Sequence, residues 1–239
     1  MKSWYLRILT PTWQVAWAMT LITLPITSFP LLSRAAGGTL VAPLALVPLS
    51  WLCLTFLPAY FFARRPIPAE TRPLAVFVIL ALVSSAAAYF LDIPSYKGHA
   101  LFANNLEAFV TLGIGSAFFI MLLVRNLSVV ELDTTLLLIN IGGILVLVWS
   151  LIQAVAAWIQ PGGFPDWMVT VQSFLSITDL HGNMSNYRVS GTTLEPSWLA
   201  HCLNVLYLPI WLASTTARYS AFRFRFVGLT MENFLLAVG

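Results

Sequence analysis

Charge is what this chain has least of. It carries 12 Lys and Arg and 9 Asp and Glu, 9% of its 239 residues, where a soluble domain carries about 25%. Hydrophobic residues make up 59% and the mean hydropathy is +0.85. A soluble globule of this size needs a charged shell, which this chain lacks. Intrinsic disorder is excluded as well, because it requires few apolar residues and much charge. The pI of about 9.1 reflects a net charge of only +3, with no basic stripe behind it, so no nucleic-acid partner is expected. Cysteine is nearly as scarce. Cys53 and Cys202 both lie in apolar runs and read as buried thiols; no CxxC pair or Cys/His cluster suggests a metal, and no cofactor is expected.

What is present is long uncharged stretches. Runs free of charge and histidine cover 8–33, 35–63, 73–91, 108–124 and 134–165, and a further run, 196–217, is interrupted only by His201. About 20 helical residues cross a hydrocarbon core. The expectation is an all-α, polytopic membrane bundle with six spans, at 8–33, 40–63, 73–91, 101–124, 134–159 and 196–217. The runs are apolar on every face, unlike the alternating short segments of a transmembrane barrel. The first run follows Lys2 and Arg7 as in a signal peptide. Its apolar stretch is too long for one, however, and Arg34 stands where a small-residue cleavage site belongs, so it reads as a retained helix. Putting the N-terminus in the cytoplasm leaves nine basic residues inside and only Arg34, Lys97 and Arg188 outside, the asymmetry expected for that orientation. Trp13, Trp158, Trp198 and Trp211 then fall near the interfaces. Gly113/Ala117 and Gly142/Gly143 suit close helix contacts. The last apolar run, 226–239, is too short to span. It reads as an incomplete seventh helix, the front part of a larger protein, or else as an interfacial helix.

The polar chemistry collects in the long outer connection, 160–195. Trp167, Val171, Phe174 and Leu175 recur at helical spacing, which predicts a short surface helix within 164–178 or an ordinary capping loop. Beyond it, Asp179, His181, Arg188 and Glu195 fall close together in a chain that uses charge sparingly. Pro196 suits the first position of a helix. Glu195 before it is pushed out of helical conformation, which puts its carboxylate at the helix N-terminus, as a cap or as a functional group. Ser197, His201 and Asn204 share one face of that helix. Such a face is expected to point into the bundle or a cavity, either as hydrogen-bonded packing or as a site. Arg188 precedes Gly191 and matches a phosphate or diphosphate through paired hydrogen bonds, or else makes a loop salt bridge with Asp179 or Glu195. Two glycosylation-like triplets, at Asn126 and Asn183, carry no weight at this length.

The stretch Arg188-x-x-Gly191-x-x-x-Glu195-Pro196-Ser197-x-x-Ala200 resembles a signature of bacterial O-antigen ligase and O-antigen polymerase membrane proteins. The resemblance implies a helical bundle of ten or more spans in the bacterial inner membrane. It also implies metal-independent transfer of glycan from an undecaprenyl diphosphate carrier to an acceptor sugar at the periplasmic face. Arg188 would then bind the diphosphate, stabilising the leaving group, and Glu195 would act as base for the acceptor hydroxyl or orient Arg188. Gly191, Ser197, His201 and His181 would line the substrate. Partners would be the lipid-linked glycan, membrane lipid and a chain-length regulator or other assembly proteins. Family members also use basic or histidine residues from a later periplasmic loop, before which this sequence stops. The alternative is a transporter or flippase of lipid-linked glycans, which would be expected to place its polar groups at the bilayer midplane.

Overall fold

A computed structural model of the chain describes residues 2–35, 42–64, 67–90, 101–125, 129–160, 163–177, 189–222 and 224–239. It is nearly all helical. In order the helices are α1 (Lys2–Thr23), α2 (Pro30–Ala35), α3 (Leu46–Phe62), α4 (Arg72–Phe90), α5 (Leu101–Arg125), α6 (Val129–Ile159), α7 (Asp166–Leu175), α8 (Pro196–Cys202), α9 (Leu208–Thr216) and α10 (Met231–Val238). Among the described residues, three helices are long and apolar enough to cross a membrane: α4, α5 and α6. α3 is apolar but shorter.

The first two expected spans are cut short by proline and by strand-like pairing. α1 stops at Thr23. Pro25 and Pro30 follow and cannot donate backbone hydrogen bonds, so 8–33 is not one helix. The chain instead runs extended from Ile26 to Phe29 beside Ala42–Leu44. Phe29 N–H donates to Ala42 O at 2.9 Å, Ala42 N–H to Thr27 O at 3.1 Å and Leu44 N–H to Ile26 O at 3.0 Å. Residues 42–45 are thereby taken from the expected 40–63 helix, which starts at Leu46. The last expected span, 196–217, is interrupted by a π turn, Leu203–Tyr207. Its cause is local: Pro209 has no N–H to offer in the α-helical ladder, and Leu208 N–H reaches back to Leu203 O.

The chain forms two compact units, one of residues 1–50 and 133–239, the other of residues 51–132. The smaller unit holds α4, α5 and most of α3. Its α4 side chains are exposed or half-buried wherever described, and Gly113 faces open space instead of a helix contact. In the larger unit, α6 is the centre. Gly142 and Gly143 let neighbours approach its backbone: a Cβ on Gly142 would stand 3.2 Å from Leu21 O and Ile22 O of α1, and one on Gly143 would stand 2.7 Å from Trp211 Cζ2. Trp17 Nε1 donates to Thr135 Oγ1 at 3.0 Å, and Tyr207 stacks on Trp211 at 5.5 Å. Trp13 and Trp211 are buried here, whereas Trp158 and Trp198 are exposed.

The C-terminal run is not a helix from residue 226. Arg225–Phe226 and Leu229–Thr230 form a two-stranded hairpin. Val227 (φ 51°) and Gly228 (φ 79°) make its turn, the paired positive φ of a tight hairpin. Thr230 then caps α10 reciprocally with Asn233. Glu232 is fully buried. It accepts from Asn140 Nδ2 at 3.0 Å, Ser220 Oγ at 2.7 Å and Ala221 N at 2.9 Å. Asn140 Oδ1 in turn accepts from Trp211 Nε1 at 3.0 Å, so α6, α9 and α10 share one polar knot. Beside it Tyr219 donates to Asp133 at 2.5 Å. Desolvation, and then the Asp133 carboxylate, push the phenol up to about 12, so it stays a donor at neutral pH.

Candidate functional site

The segment 189–195, leading into α8, is held by three elements at once. Gly191 sits at φ +59°, the left-handed region that favours glycine. Its N–H donates to Gln153 Oε1 at 2.9 Å, and its carbonyl accepts from Gln153 Nε2 at 3.2 Å. One α6 amide thus reads both backbone groups of one residue. Gln153 Nε2 also donates to Gln172 Oε1 of α7 at 3.1 Å, and that oxygen accepts from Trp149 Nε1 at 2.8 Å. From the loop after α1, Pro25 O accepts from Thr192 Oγ1 at 2.9 Å, and Thr27 Oγ1 accepts from Leu194 N–H at 3.0 Å. Thr193 closes the turn, with its N–H on Ser190 O at 3.1 Å. Gln153, Gln172, Ser190 and Thr193 are all buried. A helix within 164–178 is present as α7, with Met168 and Gln172 buried, while Trp167, Val171 and Phe174 of the expected stripe are exposed.

This lock ends on an exposed carboxylate. Glu195 is extended (φ −144°, ψ 160°) and occupies the N-cap of α8, with Pro196 next. Its side chain makes no capping hydrogen bond; Ser197 Oγ donates to its Oε2 at 3.3 Å. The backbone carbonyl of Glu195, in contrast, accepts from Trp198 and Leu199 N–H. The backbone therefore starts the helix and the carboxylate is left at the surface. Ser197, His201 and Asn204 are exposed too, instead of being turned into a packed interior; Leu199 and Tyr207 take the buried face. Asn204 Nδ2 is turned onto Ala200 O at 2.8 Å.

Gly191 needs a different role from substrate contact, because it is buried under Ser150, Val146 and Leu199. It positions the segment. Arg188 and His181 lie outside the described residues. Among the described residues, no three His, Cys, Asp or Glu side chains gather where a metal ion could be held. Among the described residues, the buried atoms Ser28 Oγ, Ser150 Oγ, Ser190 Oγ and Gln172 Nε2 have no hydrogen-bond partner.

The residues sequence reasoning missed are Gln153, Gln172, Thr27 and Thr192. Their one signal was being uncharged polar groups in or beside apolar runs, too common to single them out. Comparison with protein-family models, curated proteins and solved structures finds no match to this chain.

Proposed function

We propose that this chain is a multi-pass protein of the bacterial inner membrane, with its N-terminus in the cytoplasm, and acts in surface-polysaccharide assembly. It transfers or polymerises glycan from an undecaprenyl diphosphate carrier at the periplasmic face, as O-antigen ligases and polymerases do. The observation that carries this reading is the exposed carboxylate of Glu195, held at the start of α8 by a buried hydrogen-bond lock and seven positions after Arg188. A carboxylate fixed by its backbone and exposed to solvent, with Ser197 Oγ on one of its oxygens, suits a base, or a partner that orients a guanidinium. Arg188 supplies permanent positive charge for the diphosphate leaving group. Ser197 steadies Glu195, and His201 and His181 contact the glycan.

Arg188→Ala, made in the full reading frame, is expected to lower turnover by about 10²-fold. The polysaccharide ladder on a gel would then be lost from cells holding normal amounts of the protein. An unchanged ladder overturns the diphosphate role. Glu195→Gln keeps shape and removes charge: loss of the ladder supports the base or orienting role, whereas an intact ladder makes Glu195 only a helix start. Movement of lipid-linked glycan across reconstituted vesicles, with no glycosidic bond formed, would replace the transferase by a flippase.

A further inference from the structure

The hairpin between α9 and α10 is built from residues that a water-facing turn avoids. Val227 holds φ +51° at its tip. Asn, Asp and Gly suit that position in a two-residue turn, whereas a β-branched side chain is strained there. The Val227 side chain is nevertheless 84% exposed, and Phe224 and Leu229 beside it are 63% and 48% exposed. Strain accepted to hold an apolar side chain outward needs something apolar to meet it.

The strand that leads to the tip alternates aromatic and basic residues: Phe222-Arg223-Phe224-Arg225-Phe226. Extended backbone sends successive residues to opposite faces. Phe226 pairs with Leu229 and Arg225 with Thr230, so positions 224, 226 and 229 share one face and 225 and 230 the other. Residues 217–231 contain Arg218, Arg223 and Arg225 and no acid. Arg218 and Arg225 are exposed, and the next acid, Glu232, is buried and taken up by Ser220 and Ala221. Those same bonds fix the root of the hairpin. At the far end of α10, a Cβ on Gly239 would stand 2.8 Å from Trp211 Cζ3 and 3.4 Å from Leu208 Cδ2 of α9. α10 thus runs back along α9, and the hairpin links the two at one end of the pair.

We infer that this hairpin anchors the chain to anionic phospholipid of the inner leaflet. Phe224, Val227 and Leu229 dip into the boundary of the acyl chains, and Arg218 and Arg225 lie among the headgroup phosphates. An apolar tip ringed by charge of one sign fits such a surface. A second copy docking tip to tip would set arginine against arginine. The anchor rests on the membrane reading and its orientation, and not on glycan transfer.

The test is a nitroxide at Val227→Cys, in the full chain with the native thiols removed by Cys53→Ala and Cys202→Ala, reconstituted into phosphatidylglycerol vesicles or phosphatidylcholine vesicles. Collision with oxygen reports lipid, and collision with a nickel chelate reports water. A second label at Leu145→Cys, on an exposed side of α6, reports whether that helix lies in the bilayer. In phosphatidylglycerol the tip should meet oxygen and be shielded from nickel. Arg218→Gln and Arg225→Gln should each shift the ratio of immersed to water-facing tip about fivefold towards water, and phosphatidylcholine should shift it the same way. A tip open to nickel in phosphatidylglycerol overturns the anchor. So does a tip shielded from both reagents, which is a protein contact, or a ratio indifferent to the arginines and to the lipid. Leu229→Cys repeats the measurement on ordinary strand backbone should the 227 variant not fold. A label at 145 in lipid with the tip in water refutes the anchor alone; a label at 145 in water refutes the membrane reading with it.

Discussion

Gly191→Ala is expected to destabilise the larger unit by about 2–5 kcal/mol, the sum of a left-handed backbone penalty and an overpacking penalty. The added Cβ would stand 2.6 Å from Ser150 Oγ and 3.3 Å from both Leu199 Cδ1 and Val146 Cγ2. The backbone cannot retreat without giving up the two hydrogen bonds to Gln153. Thermal unfolding in detergent should show a midpoint lower by about 10 °C. Ser150→Ala separates the two penalties. Ser150 Oγ has no hydrogen-bond partner among the described residues, so removing it alone costs little, and combining it with Gly191→Ala should recover the steric part of the loss. A Gly191→Ala protein that melts with the parent, or a double variant no better than Gly191→Ala alone, would show that the segment is not locked in this way.

Glu232→Ala should be comparably severe, at about 4 kcal/mol, because it strands the buried Asn140 Nδ2, takes the acceptor from the half-buried Ala221 N–H and leaves a cavity. Glu232→Gln should cost under ~1 kcal/mol, since its oxygen can keep those two donors. Its amide nitrogen can donate to Ser220 Oγ, whose own proton has Phe222 O within 2.8 Å. The readout is again the melting midpoint, together with cleavage by trypsin after Arg218 or Arg225. Rapid cleavage in the alanine variant and slow cleavage in the glutamine variant is the expected pattern. Equal behaviour of the two would mean that the knot holds α10 by packing alone.

The long helices α4, α5 and α6 could be read from hydropathy because nothing else competes for their residues. The ends of the first two spans could not. Hydropathy counts Ile26–Phe29 and Ala42–Leu44 as span residues, yet Pro25 and Pro30 free the first stretch to pair with the second. The hairpin at Val227-Gly228 was written in a turn-forming glycine but hidden in an apolar run. At the site, Glu195-Pro196 announced the start of α8 from sequence alone. What holds it there did not show, since Gln153 and Gly191 are 38 residues apart and only the fold brings them together. The resemblance made Gly191 a substrate-lining residue, whereas its surroundings bury it under Ser150, Val146 and Leu199.

The π turn in 203–207 sets an angle. An inserted residue advances a helix by about 100°, so the side chains of α8 are out of phase with those of α9 by roughly that amount. Tyr207 and Trp211 are fully buried against α6, which fixes the rotation of α9. The bearing of Ser197 and His201 around the helix axis is therefore set from below, by Pro209 and the extra residue it imposes. Replacing Pro209 would restore the ladder only by twisting one end against the other. The direction in which the Glu195 end of the helix faces is thus written about four turns away, in Pro209, which lies apart from the polar groups at the surface.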